Sequence, residues 1–327
     1  MPRTGLMPRI SLALLAAATF ILTNIGAQAQ QGYQNQVVRI VVPFSAGSAT
    51  DLLARAVADK LSEKWKQQVI VENRPGIAGT TTVAKSTADG YTLMLTSNGH
   101  TVAGVLNKGL QFDPVKDFAG ITPIASVPLV LIINPELQAK TVKEFIDLAK
   151  AKPGSMNFAS PGLGSTTFIA GALFKDAAKL DLVHVPYKGA PESNMSVVRG
   201  DSQMYFTPAS TAIELVQSGK VRAIAVATDK RVPSMPDVPT LKEAGLPNFS
   251  YDSWFGLMAP AGTPAAIIEK VNKDVVEGLQ DPALQDRMAK QGGVLVITSS
   301  PKQFDEMIKS DTARYTKIFQ DAGLGAQ

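Results

Sequence analysis

The chain has few of the side chains on which metal and thiol chemistry depend. Its 327 residues include no cysteine and only two histidines, His100 and His184. Disulfides, a thiol nucleophile and a lipid anchor on cysteine are therefore excluded. No His-Glu-x-x-His spacing offers a zinc site either. We therefore expect no metal centre and no cofactor.

Long runs of charge and internal repeats are also absent from the sequence. The formal net charge is +4, from 32 basic and 28 acidic residues that are interspersed along the chain. This pattern offers no basic patch of the kind that binds nucleic acid, so we expect no nucleic-acid partner. A chain of this length is expected to form two domains with a large core.

The first 29 residues have the three parts of a secretory signal peptide. Arg3 and Arg9 precede the apolar run 10–27, and small residues follow at Ala27–Ala29. Polar residues interrupt the run, which argues against a membrane anchor and favours cleavage near Ala29. For an exported chain without cysteine we expect a periplasmic location.

Strand-like and helix-like segments alternate through the rest of the chain. Residues 37–42 form an almost continuous apolar run, and residues 50–66 place an apolar side chain at every fourth position. This rhythm predicts an α/β fold with parallel strands, and it restarts near Asn134. We therefore expect a signal peptide (1–29), a discontinuous lobe 1 (30–133 and 254–327) and lobe 2 (134–253). Two hinge strands would join the lobes around a ligand cleft.

Two loops place small residues directly before a helix start. In "FSAGSATD" (44–51) the spacing of Ser48 and Asp51 predicts a capping box, and "SPGLGSTT" (160–167) leads into a helix of the other lobe. Amide groups at such a helix start, with the positive end of the helix dipole, can bind an anion. One such loop in each lobe predicts a carboxylate that bridges the cleft.

Candidate ligand-binding residues lie in these two loops and after two further strands. They are Phe44, Ser45, Ala46, Gly47, Ser48, Asp51, Asn98, His100, Ser160, Gly164, Ser165, Thr166, Thr167 and Tyr187. We predict no catalytic and no metal-binding residue among them. An exported serine hydrolase, with Ser97 as nucleophile and His100 as base, is the alternative from another class. No Gly-x-Ser-x-Gly elbow supports that alternative.

An ordered set of segments in this chain resembles a known family. The segments are "VPFSAGSATDLLAR", "VENRPGIAGT", "ADGYTLMLTSN", "NFASPGLGST", "VPYKGA", "VPTLKEAGLP" and "WFGLMAPAGTP". They are similar to the substrate-binding receptors of tripartite tricarboxylate transporters, the Bug-type periplasmic proteins. The resemblance implies a two-lobed type II periplasmic binding protein fold without enzymatic activity. It also implies a receptor that captures a small organic carboxylate for membrane permease subunits, or an orphan sensory receptor, and a water-organising role for Asp51.

Some positions depart from the pattern of that family. Ser48 follows Gly47 where a second glycine is common, Thr167 and Phe168 stand where proline and histidine are common, and Glu192 replaces a small residue. We expect these positions to face the distal end of the ligand. On this interpretation Phe168 leaves room for an aromatic acid as well as for di- and tricarboxylates. We expect the receptor to be a monomer.

Overall fold

The computed structural model describes residues 36–292 and 294–321. The expected signal peptide lies outside these residues. None of the helices in the described ranges combines the length and the hydropathy needed to span a bilayer.

The strands form two separate sheets. They are β1 (Val38–Val42), β2 (Val69–Asn73), β3 (Thr92–Ser97), β4 (Phe118–Ser126), β5 (Leu129–Ile133), β6 (Met156–Ser160), β7 (Leu182–Pro186), β8 (Met204–Pro208), β9 (Arg222–Val226), β10 (Trp254–Pro260) and β11 (Leu295–Val296). The six-stranded sheet of lobe 1 has the order β11-β4-β10-β3-β1-β2. The five-stranded sheet of lobe 2 has the order β7-β6-β8-β5-β9. Strand β1 is parallel to β2 and β3, and β6 is parallel to β7 and β8, so strand ends that precede helices lie together in each lobe.

Helices cover both sheets. They are α1 (Ala49–Trp65), α2 (Ile77–Ala84), α3 (Ala103–Leu106), α4 (Val142–Ala151), α5 (Thr166–Ala177), α6 (Ala190–Arg199), α7 (Ala209–Gln217), α8 (Ala265–Leu279), α9 (Pro282–Gly292) and α10 (Pro301–Asp321), with a 3₁₀ turn at Asn98–Val102. Helix α1 shows how the sequence pattern acts, because Leu53, Val57, Leu61 and Trp65 share one face and are buried together with β1. The expected α/β architecture is confirmed.

Two connections join the lobes, and they run side by side. The chain leaves the first sheet at Ser126 and enters the second at Leu129. It returns between Val226 and Trp254. The amide of Val127 donates to the carbonyl oxygen of Ser253 over 3.0 Å, so the two connections are hydrogen-bonded where they cross between the lobes.

Helix α10 packs against both lobes. Phe304 belongs to the core that also holds Trp254 of lobe 1, whereas Tyr315 and Phe319 belong to the core of lobe 2. Trp254 is further tied to this helix by the bond of 2.8 Å from its Nε1 to Asp311. The sequence-based boundaries assign residues 254–327 to lobe 1, but the second half of α10 contacts lobe 2 through these two buried rings.

Candidate functional site

The β1–α1 loop is closed by the first residues of its own helix. The Oγ of Ser48 accepts a hydrogen bond from the amide of Asp51 over 3.2 Å, which caps α1 as expected. In return, the Asp51 carboxylate accepts from the amide of Gly47 over 2.9 Å. A standard capping box would use the Ser48 amide, but that amide already donates to Ser45 O. Gly47 has a φ of 79°, a conformation that favours glycine.

Asp51 is buried and fully engaged by protein donors. Arg55 contacts both carboxylate oxygens, at 3.1 and 3.0 Å, and Asn73 Nδ2 donates to Oδ1 over 3.0 Å. The same Asn73 Nδ2 also lies 3.2 Å from Phe44 O. The hydrogen bond from Arg55 outweighs desolvation and holds the pKa of Asp51 below its usual range. Asp51 therefore holds the loop in place, because both of its carboxylate oxygens accept hydrogen bonds from protein groups.

The β6–α5 loop of lobe 2 is held by neutral groups instead. Ser160 Oγ is hydrogen-bonded to His184 Nε2 at 2.7 Å and accepts from the Gly162 amide over 3.0 Å. Ser165 Oγ donates to Gly162 O over 2.9 Å and accepts from the Phe168 amide over 3.1 Å, which caps α5. Both predicted serines thus support the loop through their side chains.

Phe168 lies in the core of lobe 2 rather than at the cleft. Its side chain is fully buried, and its ring centroid lies 4.6 Å from that of His184 and 5.7 Å from that of Phe319. The expectation that Phe168 faces the ligand is therefore wrong. Helix α5 packs on the second sheet with this residue turned inward, so Phe168 cannot select the ligand by direct contact.

The two lobes touch where the candidate loops meet. Asn98 Nδ2 donates to the hydroxyl of Tyr251 over 2.9 Å, and that hydroxyl donates to Thr166 O over 2.8 Å. Nearby, a Cβ added to Gly99 would overlap the carbonyl oxygen of Gly164. The main chains of lobe 1 and lobe 2 are therefore in direct contact, and the molecule is closed at this point.

A cavity of about 170 Å³ adjoins this contact. Of the predicted residues, Phe44, His100 and Gly164 line it. Lobe 1 provides most of its wall, and lobe 2 contributes Leu163 and Gly164. Part of the candidate site thus lines one cavity between the lobes, which is partly open to solvent.

The remaining predicted residues lie outside the lining of that cavity. Ser45, Ala46 and Gly47 form an exposed tip of the β1–α1 loop, and Thr167 is buried at the start of α5. The hydroxyl of Tyr187 is 3.2 Å from that of Ser202, so its polar end is turned into lobe 2.

His100 is buried beside the cavity as a neutral ring. Its Nε2 is 2.7 Å from the carbonyl oxygen of Pro114, which can only accept, so this nitrogen carries the proton. Burial lowers the pKa of His100 to about 4. Ser97 Oγ accepts from the Gly99 amide over 3.3 Å, and the described residues show no hydrogen bond between Ser97 and His100. Ser97 and His100 therefore do not form the nucleophile–base pair of the alternative hypothesis.

Several buried polar atoms have no hydrogen-bond partner within the described part of the chain, and of the residues that carry them only Asn98 was a predicted site residue. They are Asn98 Oδ1, Asn194 Oδ1, Tyr205 OH, Thr207 Oγ1 and Ser253 Oγ. Such atoms are costly to bury and commonly mark places where water or a ligand binds. Thr207 is at the carboxyl end of β8, Asn98 follows β3 and Ser253 lies in the hinge. A polar residue that ends an apolar strand is the sequence signal that could have indicated Thr207.

Comparison with known proteins identifies the family. Residues 53–324 match the family model TctC, described as "Tripartite tricarboxylate transporter family receptor". This chain belongs to that family. Protein BugT of Bordetella pertussis is 32% identical over 318 residues, which cover 95% of this chain and 97% of BugT.

Solved structures of similar proteins share the fold. The R. palustris protein Rpa4515 with adipate superposes with a TM-score of 0.79 at 30% identity, over 90% of this chain and 100% of that one. MatC from Rhodopseudomonas palustris with bound malate gives a TM-score of 0.76 at 29% identity, over 87% and 99% of the two chains. The resemblance to Bug-type receptors and the two-lobed fold are confirmed. The family is one of solute-binding receptors, so this chain is a binding protein and not a hydrolase.

Proposed function

We propose that this chain is a periplasmic receptor that captures a small organic carboxylate between its lobes and delivers it to the membrane permease subunits of a tripartite transporter. The observation that carries the proposal is a capped helix start in each lobe, each preceded by a loop that lines the cavity between the lobes, through Phe44 in lobe 1 and Gly164 in lobe 2. The carboxylate ligands named for two similar structures, adipate and malate, support the same ligand class.

The helix starts supply the binding groups. Ser48 satisfies the third amide of α1 and Ser165 that of α5, which leaves the amides of the two preceding helical residues in each case without an intrahelical acceptor. These are Ala49 and Thr50 in lobe 1, and Thr166 and Thr167 in lobe 2. Amides at the positive end of a helix attract a carboxylate without placing a full positive charge beside it. Such a site can bind an anion and still release it to a transporter.

Closure couples the two halves of the site. The hydrogen-bond chain from Asn98 through Tyr251 to Thr166 and the contact of Gly99 with Gly164 both require the lobes to meet. A ligand that contacts both loops stabilises the closed form over an open one, which shifts the population. Permease subunits can then distinguish loaded receptors from empty ones by shape.

A thermal-shift screen tests the proposal. The exported protein, shown to be free of carried-over ligand, is mixed with mono-, di- and tricarboxylates, with neutral sugars and amines as controls. A ligand that binds only the folded state raises the melting temperature when present well above its dissociation constant. We expect a shift with carboxylates alone. A shift with sugars or amines, or none with any acid, would contradict the assignment.

Three further parts of the proposal have direct tests. N-terminal sequencing of the exported protein should show cleavage near Ala29, and light scattering should give the mass of a monomer. Uptake of the bound acid by cells should depend on both the receptor and the permease subunits.

A further inference from the structure

The cavity between the lobes has apolar walls. Phe44, Ile77, Leu106, Phe112 and Leu163 line it, together with smaller residues. Among the described lining residues there is no lysine, arginine, aspartate or glutamate. Its polar side chains are those of threonine and asparagine and one imidazole, all uncharged at neutral pH. The cavity therefore offers hydrophobic contact and no countercharge.

The imidazole in the lining does not change this conclusion. His100 carries its proton on the nitrogen that faces Pro114 O, and its pKa of about 4 keeps the ring neutral at pH 7. Phe112 and Phe118 pack around the ring with centroids 6.3 and 4.8 Å away. A carboxylate that lies against these apolar walls would give up part of its hydration without gaining a cation, which is unfavourable.

Two exposed apolar side chains flank the cavity from opposite lobes. Ile77, at the start of α2 in lobe 1, is 43% exposed, and Leu163, in the β6–α5 loop of lobe 2, is 63% exposed. Each is an isolated exposed residue of an ordinary kind, but both line the same space. An apolar ligand body held between them would remove apolar surface of both lobes from water and favour closure.

We propose that this cavity holds the hydrocarbon body of the ligand, and that the ligand is a monocarboxylic acid with a six-membered ring rather than a hydrophilic di- or tricarboxylate. The inference rests on the proposed receptor function, because the carboxylate itself is assigned to the helix starts. Phe44 and Gly164, one from each loop, line the cavity and connect the two parts of the site. An enclosed apolar cavity of about 150 Å³ holds benzene, so the partly open cavity of about 170 Å³ here has room for a ring of that size.

Titration calorimetry with defined acids tests the ligand class. The probes are benzoate and cyclohexanecarboxylate as ring monocarboxylates, and malate, adipate and citrate as polyacids. We expect the better ring acid to bind about 100-fold more tightly than any polyacid, because a second carboxylate would have to lie against the apolar walls of the cavity. A ratio below tenfold, or tighter binding of a polyacid, would overturn the inference and leave the carboxylate receptor standing. Failure of every acid to bind would instead refute the proposed function.

Variants of the flanking residues test the location. Ile77→Ser and Leu163→Ser should each weaken binding of the preferred ring acid by about fivefold to tenfold, because each removes apolar contact. Ile70→Ser is the matched control, since Ile70 is 38% exposed on β2 and does not line the cavity. Its affinity should stay within about twofold of the parent protein. Equal affinities in Ile77→Ser, Leu163→Ser and the control would overturn the assignment of the cavity.

Discussion

In lobe 1 the loop before the helix start is supported by a buried charge, and in lobe 2 the corresponding loop is supported by neutral groups. Asp51 holds the β1–α1 loop through Gly47, Arg55 and Asn73. The β6–α5 loop depends on Ser160 and its hydrogen bond to His184. Both loops end in a serine-capped helix, so the same amide geometry is reached by two different supports. The two loops should therefore respond differently to loss of charge and to pH.

A substitution that keeps the two loops apart should have the largest effect on ligand affinity, because it removes the contact between the lobes. A methyl group at residue 99 would overlap Gly164 O, so Gly99→Ala should prevent full closure. We expect affinity for the acid with the largest thermal shift to fall by more than about 100-fold, measured by calorimetry. Gly104→Ala is the control, because its added Cβ would meet only the ring of Pro114, with Cγ at 3.8 Å and Cδ at 4.0 Å. Unchanged affinity in Gly99→Ala would mean that closure at this contact is not needed.

Removing the charged support should destabilise lobe 1. Asp51→Ala deletes the acceptor for Gly47, Arg55 and Asn73 at a buried position. We expect the free energy of unfolding in urea to fall by about 3 kcal/mol, with weaker binding of the acid as the loop loosens. Asp59→Ala, at an exposed position of the same helix, should change it by less than about 0.5 kcal/mol. If Asp51→Ala and Asp59→Ala have the same free energy of unfolding, the buried carboxylate does not support the loop.

Mild acid should weaken the neutral support of lobe 2, through His184, and leave the charged support of lobe 1 unchanged. His100, which belongs to neither support, responds in the same pH range. Burial lowers the pKa of His184 to about 4, and also that of His100 to about 4, from 6.5 in both cases. Below pH 6.5 the unfolded chain binds these protons before the folded one does, so stability is lost as pH falls towards 4. Asp51, whose pKa is lowered below 3.8, stays ionised across this window and contributes no change.

Variants of the two histidines test the pH dependence of the free energy of unfolding. We expect the free energy of unfolding to fall by about 2 kcal/mol from His100 between pH 7 and 4.5, and by less from the half-buried His184. Urea titrations of His100→Gln and His184→Gln should show correspondingly shallower pH dependence. A pH dependence as steep as that of the parent protein in both variants would contradict neutral burial of the two rings.

The neutral support should show the smallest effect. Ser160→Ala leaves His184 Nε2 and the Gly162 amide without their partner. We expect a loss of about 1 kcal/mol in the free energy of unfolding, because neutral hydrogen bonds contribute about this much. Ser155→Ala, at an exposed serine of the same lobe, serves as the control. A loss at Ser160 larger than that at Asp51 would reverse the comparison between the loops.

The features that sequence patterns predict best here are local ones. The apolar run of β1, the four-residue spacing in α1 and the serine caps of α1 and α5 all follow from residues close together in the chain. The direction in which a side chain points was harder to predict. Phe168 faces the core because of the sheet face on which α5 packs, which is a tertiary property. The partner Asn73 of Asp51 comes from a neighbouring strand, 22 residues away.

The shape of the site depends on the same long-range order. The cavity is formed by segments as far apart as Phe44 and Gly164, and Tyr251 bridges Asn98 and Thr166 from the hinge. The spacing of residues along the sequence does not indicate which distant segments come into contact in the fold. The expected loops are present, and the side chains of Asp51, Ser160 and Ser165 support them through hydrogen bonds to protein groups. The amides at the helix starts are the groups that we propose for binding the ligand.

A crystal structure with the acid that raises the melting temperature most would test the central claim directly. We expect its carboxylate within hydrogen-bonding distance of amides from both helix starts, Ala49–Thr50 in lobe 1 and Thr166–Thr167 in lobe 2. A carboxylate bound by one lobe alone, or at a place away from both helix starts, would contradict the claim that the two loops form one anion site.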